Sequence, residues 1–174
     1  MSGETLVPQR LLPISWIIGT WESISAEGKF PTIQPFHYKE LIEFRCVGAQ
    51  PLLKYTASTK HTVSGNPMHQ ESGFLRMRGE HDISFMVAHN FGLTTIEEGS
   101  VENNRITLRS TADNITRMSP DSAKSSAGVK VTELKRRFIL DLESAQLVQE
   151  VFMATEETPE LTLHLCATYS RTSC

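Results

Sequence analysis

Leu161-Thr162-Leu163-His164-Leu165-Cys166-Ala167-Thr168-Tyr169 puts three leucines, Ala167 and Tyr169 on one face of an extended chain. Thr162, His164, Cys166 and Thr168 fall on the other. Side chains alternate across a strand, so this period of two predicts a β-strand between two different environments. The histidine among the polar residues has two readings. It is a solvent-facing residue of an antiparallel strand, or it is a ligand directed into a cavity.

Working back from that strand, the same rhythm recurs. Tyr38–Cys46 places Glu40, Ile42, Phe44 and Cys46 on one face, and residues 52–59 follow the turn cluster Gly48-Ala49-Gln50-Pro51. Strands are predicted over 73–78, over 82–89 with Ile83, Phe85, Val87 and His89 sharing a face, and over 92–98, 99–102 and 105–110. Asn103-Asn104 reads as a tight hairpin turn, because Asn tolerates positive φ. Strands over 129–140, 146–154 and 161–169 complete the series, and the Ser119–Gly128 stretch between them reads as a mobile surface loop. Near the start, residues 1–10 are expected to be a disordered lead-in, and Leu11–Ile18 a helical turn or two plugging one end of a barrel. Gly19-Thr20-Trp21 opens the first strand, residues 22–29 read as a small-residue connection, and Pro31 and Pro35 keep the next segment extended but out of a central ladder. The expected fold is all-β: a ten-stranded antiparallel up-and-down barrel, lipocalin- or fatty-acid-binding-protein-like, over residues 11–174. A barrel of that size has a lumen wider than its own side chains fill.

Charge narrows the partners. Lys and Arg number 17 against 20 Asp and Glu, a net charge of −3 with the signs interspersed. No basic stripe exists to neutralise phosphates, so no nucleic-acid partner is expected. Lys135-Arg136-Arg137 reads as a solvated strand face, and Glu97-Glu98 and Glu156-Glu157 as solvated pairs. Cys46, Cys166 and Cys174 show neither zinc-type spacing nor a disulfide framework, and the first two read as small buried hydrophobes. No signal-peptide or membrane-spanning pattern appears, so a reducing cytoplasmic or nuclear compartment and no membrane partner are expected. A monomer or weak homodimer is the expected state.

No G-x-S-x-G motif, phosphate-binding glycine loop or closely spaced histidine pair is present. What remains is a histidine on a strand beside a lumen. One neutral imidazole suffices as an axial ligand to haem iron, a demand that is easily met and weakly specific. The alternative is a non-catalytic carrier of a fatty acid or other small hydrophobic ligand, which a charged residue deep in the lumen would favour.

Further residues carry a resemblance across nearly the whole chain. Trp16 with Gly19-Thr20-Trp21, the Phe30–Phe36 segment, Pro67–Phe74, Ala88–Leu93, Met153-Ala154-Thr155 and His164-Leu165 occur in the order seen in nitrobindins. The chain resembles that family of haem-binding β-barrels, which also occurs as the C-terminal domain of a human THAP-domain protein. The resemblance implies haem b, one per chain, at one open end of the barrel. It implies His164 as proximal axial ligand, Thr32 as a haem-contacting residue and His69 as a histidine on the distal side. It also implies ferric iron that binds NO and converts peroxynitrite to nitrate. With no THAP zinc domain in the sequence, a stand-alone nitrobindin is expected. Ser23 and Ser25 stand where many members have the last two glycines of G-x-W-x-G-x-G, which puts the local loop shape in question. Finally, the Thr162, His164, Cys166 and Thr168 face is expected to line the lumen.

Overall fold

The computed structural model describes residues 7–118 and 129–173, so residues 1–6, Ser119–Gly128 and Cys174 lie outside the described residues. Eleven antiparallel strands form one sheet: β1 Gly19–Phe30, β2 Ile33–Cys46, β3 Leu52–His61, β4 Pro67–Met77, β5 Asp82–His89, β6 Leu93–Glu102, β7 Arg105–Thr111, β8 Ile115–Arg117, β9 Val131–Asp141, β10 Gln146–Thr155 and β11 Thr162–Ser173. The β5–β6 pairing closes the sheet on itself. The three-residue β8 pairs with the start of β6, and β7 with its end, so these two share one stave of a ten-stave barrel. Asn103 and Asn104, both at positive φ (43° and 59°), make the two-residue turn between β6 and β7.

Residues 22–29, expected as a connection, lie instead in the middle of β1. The small polar residues there accommodate a bulge: Ser23 and Ser25 pair with the adjacent Tyr169 and Thr168, leaving Ile24 extra and 59% exposed. Neither serine has positive φ, so glycine is not required, and Ser23 Oγ accepts the Glu40 amide at 2.8 Å. Pro35 is tolerated because β2 pairs with β3 only from Tyr38 onward, so, among the described residues, 33–37 pair with β1 alone. The segments 92–98 and 99–102 form the single strand β6.

A 3₁₀ turn, Gln9–Ile17, seals one end of the barrel and begins two residues before the expected boundary. Its Leu11, Ile14 and Ile17 are fully buried against Trp21, Phe44 and Phe138. Trp21 Nε1 donates to the Ile17 carbonyl at 2.9 Å, and the Arg171 guanidinium stacks 4.3 Å from the Trp21 ring while donating to the Ile18 and Trp16 carbonyls. Gly19 turns the chain from plug to strand at φ 127°, a conformation open to glycine alone. From there β1 runs to Phe30 at the opposite, open end.

Candidate functional site

His164 reaches the lumen through a defect in the strand. Along β10 and β11 the pairs Val151–Leu165 and Phe152–Leu163 are consecutive, so His164 has no partner on β10. This bulge adds one residue to the inward series, and both His164 and Leu165 line the cavity. Beyond it Ala167 and Tyr169 are buried inside the barrel, while Cys166 is paired between Glu27 and Glu150 and only half-buried. The expected lumen face is thus corrected. Strict alternation fails at the bulge, and Cys166 and Thr168 belong to the outer face.

The imidazole is held in a defined tautomer. His164 Nδ1 lies 3.0 Å from the Lys29 carbonyl, which can only accept, so Nδ1 carries the proton and Nε2 keeps its lone pair. Burial lowers the His164 pKa and outweighs the opposing carbonyl, so the ring is neutral at pH 7. Phe30 meets the ring edge-on at 5.6 Å between centroids. The cavity is open to solvent at its mouth and has a volume of about 190 Å³. Its walls are largely apolar, with Phe36, Phe91, Leu134, Val151, Met153 and Leu165. An oriented neutral imidazole beside an apolar cavity is a donor set that fits haem.

Opposite the apolar wall is a buried polar system that reading by segment assigned to solvent. Arg136 is 3% exposed and Glu97 1% exposed, both inside the barrel. The guanidinium donates to Glu97 through Nε and Nη2, at 3.1 and 3.2 Å, and through Nη1 to Glu71 at 3.3 Å. The signal was the alternation Leu134, Arg136, Phe138, which puts the arginine on the buried face. Although burial opposes ionisation of Glu71, Arg136 and the two nearby histidines hold its pKa down to about 2. Glu40 also lines the cavity, and burial pushes its pKa up to about 7 against the Tyr169 hydrogen bond.

The predicted site residues separate into two groups. His69, half-buried on β4, lines the cavity with His164. It contacts His89, which sequence reasoning passed over although it shares a face with Ile83, Phe85 and Val87. Thr32 is exposed in the β1–β2 turn, two residues after Phe30, and is not among the cavity-lining residues.

A family model described as a THAP4-like, heme-binding beta-barrel domain matches residues 10–171. The protein named peroxynitrite isomerase THAP4 in Homo sapiens is 37% identical over 161 residues, covering 91% of this chain and 26% of that protein. The chain thus spans about a quarter of the mammalian relatives it matches. Peroxynitrite isomerase 1 of Rhodococcus jostii (strain RHA1) is 36% identical over 159 residues, covering 91% of this chain and 81% of the relative. The crystal structure of Rv2717c from M. tuberculosis superposes with a TM-score of 0.78 at 30% identity, covering 95% of this chain and 99% of that one. The oriented histidine, the apolar cavity and these matches agree: the chain belongs to the THAP4-like family of haem-binding β-barrel domains, the nitrobindins.

Proposed function

We propose that this chain binds one haem b through His164 and isomerises peroxynitrite to nitrate. The observation that carries the reading is the His164 Nδ1–Lys29 carbonyl bond of 3.0 Å, which leaves Nε2 of a cavity-lining imidazole free to ligate. When bound, ferric haem supplies the Lewis acid for peroxynitrite isomerisation and a site for NO. The chain's part is to hold, orient and exclude. Lys29 and Phe30 fix the imidazole ring from the carbonyl and edge sides. Leu134, Val151 and Leu165 keep water from the wall beside it. Thr32 in the turn beyond Phe30 is assigned to the haem edge, and His69 to the distal wall. Glu40, keeping its proton up to about pH 7, spares an anionic ligand a further negative charge in the cavity floor.

Peroxynitrite isomerase is the name carried by the human and Rhodococcus relatives, and the neutral, oriented His164 supports extending that activity to this chain. Arg136 is the charged residue deep in the lumen that a fatty-acid carrier would need. Its donors are already engaged by Glu71 and Glu97, so it is not a free anchor for a ligand carboxylate. We place the protein in the cytoplasm or nucleus, as a monomer or weak dimer, where the thiols of Cys46 and Cys166 stay reduced.

Hemin added to the purified chain should give a Soret band that shifts and weakens in His164→Ala. An identical spectrum in the variant would remove the axial assignment. In stopped flow, the loaded wild type should accelerate peroxynitrite decay to nitrate. Decay at the protein-free rate would reject the enzyme reading and leave haem binding standing.

A further inference from the structure

Three side chains of the cavity converge on a point without belonging to the axial site. His69 Nε2 lies 2.8 Å from His89 Nδ1, and Glu71 Oε1 lies 3.3 Å from His89 Nδ1 and 3.6 Å from His69 Nε2. A triangle with these sides has a circumscribed radius of about 1.9 Å, shorter than the ~2.0–2.2 Å that Zn²⁺ keeps to imidazole nitrogen and carboxylate oxygen. One point can therefore sit at bonding distance from all three atoms without backbone movement. We propose that His69, Glu71 and His89 form a binding site for a divalent first-row transition ion, separate from the His164 ligand.

The donor chemistry sets the ion class. Two imidazoles and one carboxylate suit Zn²⁺, Co²⁺ or Fe²⁺, whereas Mg²⁺ and Ca²⁺ take oxygen ligands almost throughout. The surroundings prepare each ligand. Tyr55 Oη and Arg136 Nη1 hold Glu71 Oε2, at 2.9 and 3.3 Å, and leave Oε1 to the histidines. Arg136 faces two carboxylates, Glu71 and Glu97, so this buried cluster carries excess negative charge that a cation offsets. Burial favours the neutral form of both histidines, the form that ligates. Without an ion, one N–H links the two rings. His89 Nε2 is buried with no partner among the described residues, so a proton leaving Nδ1 has a free nitrogen on the same ring to occupy. Binding then needs a tautomer change and a turn about χ2, with no net proton lost. His69, 27% exposed at its side chain, provides the way in.

Calorimetric titration of the full chain, stripped by a chelator, should show one Zn²⁺ site per chain and none for Mg²⁺. His69→Ala and His89→Ala should each weaken it by more than roughly a hundredfold, beyond the 10–100-fold that outer-shell partners cost. His164→Ala should leave it unchanged, which separates this site from the haem reading. Co²⁺ should give d–d absorption that the His69 and His89 variants lose. Circular dichroism checks each fold, and if His89→Ala does not fold, the half-exposed His69 decides alone. The proposal is overturned by absent or non-saturable Zn²⁺ binding, by an equal response to Mg²⁺, by binding retained in His69→Ala, or by binding lost in His164→Ala.

Discussion

Tyr169 Oη contacts Glu40 Oε2 and also Gln149 Oε1, the latter at 2.7 Å, yet a phenol has one proton to give. The count closes when the Gln149 amide turns its Nε2–H to the phenol oxygen and Tyr169 donates to Glu40, whose pKa burial still raises to about 7. An acid whose folded pKa lies above its ordinary 4.5 binds more protons in the native state between those values, so stability falls as pH rises through that window. Glu40→Gln, which cannot ionise, should therefore gain on wild type as pH rises, by on the order of 2 kcal/mol. His89, lowered by burial to about 4, pulls the other way in both proteins and cancels from the comparison. Urea denaturation at about pH 5 and pH 8 reads the gap; an equal gap at both would remove Glu40 as the titrating group. Sequence alternation did place Glu40 with Ile42 and Phe44, but it could not supply a charge state. That depends on which side chains other strands bring to the carboxyl.

At the scale of elements, plug and mouth lie at opposite ends of β1, so they should respond separately to mutation. Leu11→Ala removes a fully buried side chain from the plug and should cost about 2–5 kcal/mol. The Soret band at saturating hemin should nonetheless match wild type, because His164 is set by Lys29 and Phe30 at the far end. A changed band would mean that plug and cavity are coupled. Gly28→Ala acts at the mouth instead. Its Cβ would lie 2.2 Å from Phe36 Cζ, so the Phe36 ring must swing within the cavity. Hemin affinity should fall in this variant, as measured by titration of the Soret band, and unchanged affinity would show that the ring is not part of the site. The plug was legible in the apolar run Leu11–Ile18, and the hairpin at Asn103-Asn104 in its positive-φ residues. The bulge at His164 was not, because an extra residue is visible only against the partner strand.

For the whole molecule, closure of ten staves removes open sheet edges and leaves a cavity at the unplugged end. A ligand that binds only the folded barrel stabilises it by mass action. Free hemin at a hundred times its dissociation constant should add about 2.7 kcal/mol, read as a rise in Tm that His164→Ala reduces. An equal rise in both proteins would place hemin outside the axial site. The antiparallel barrel and the shared faces of Ile42 with Phe44 and of Phe85 with His89 were written in period-two alternation, because burial on one face acts on each strand separately. The full length of β1 and the continuity of β6 were not. The ordered islands of resemblance marked His164 and His69 as residues of interest. Tertiary structure alone decided that Arg136 and Glu97 are a buried pair rather than solvated charges, that Cys166 faces outward, and that Glu71 meets His69 and His89. For Cys166 the physical reason is the bulge, which shows only against the partner strand; for the charged groups it is a different one. Alternation specifies a face, but the energy of a buried charge depends on its partners across the barrel, and those partners lie up to 65 residues away along the chain.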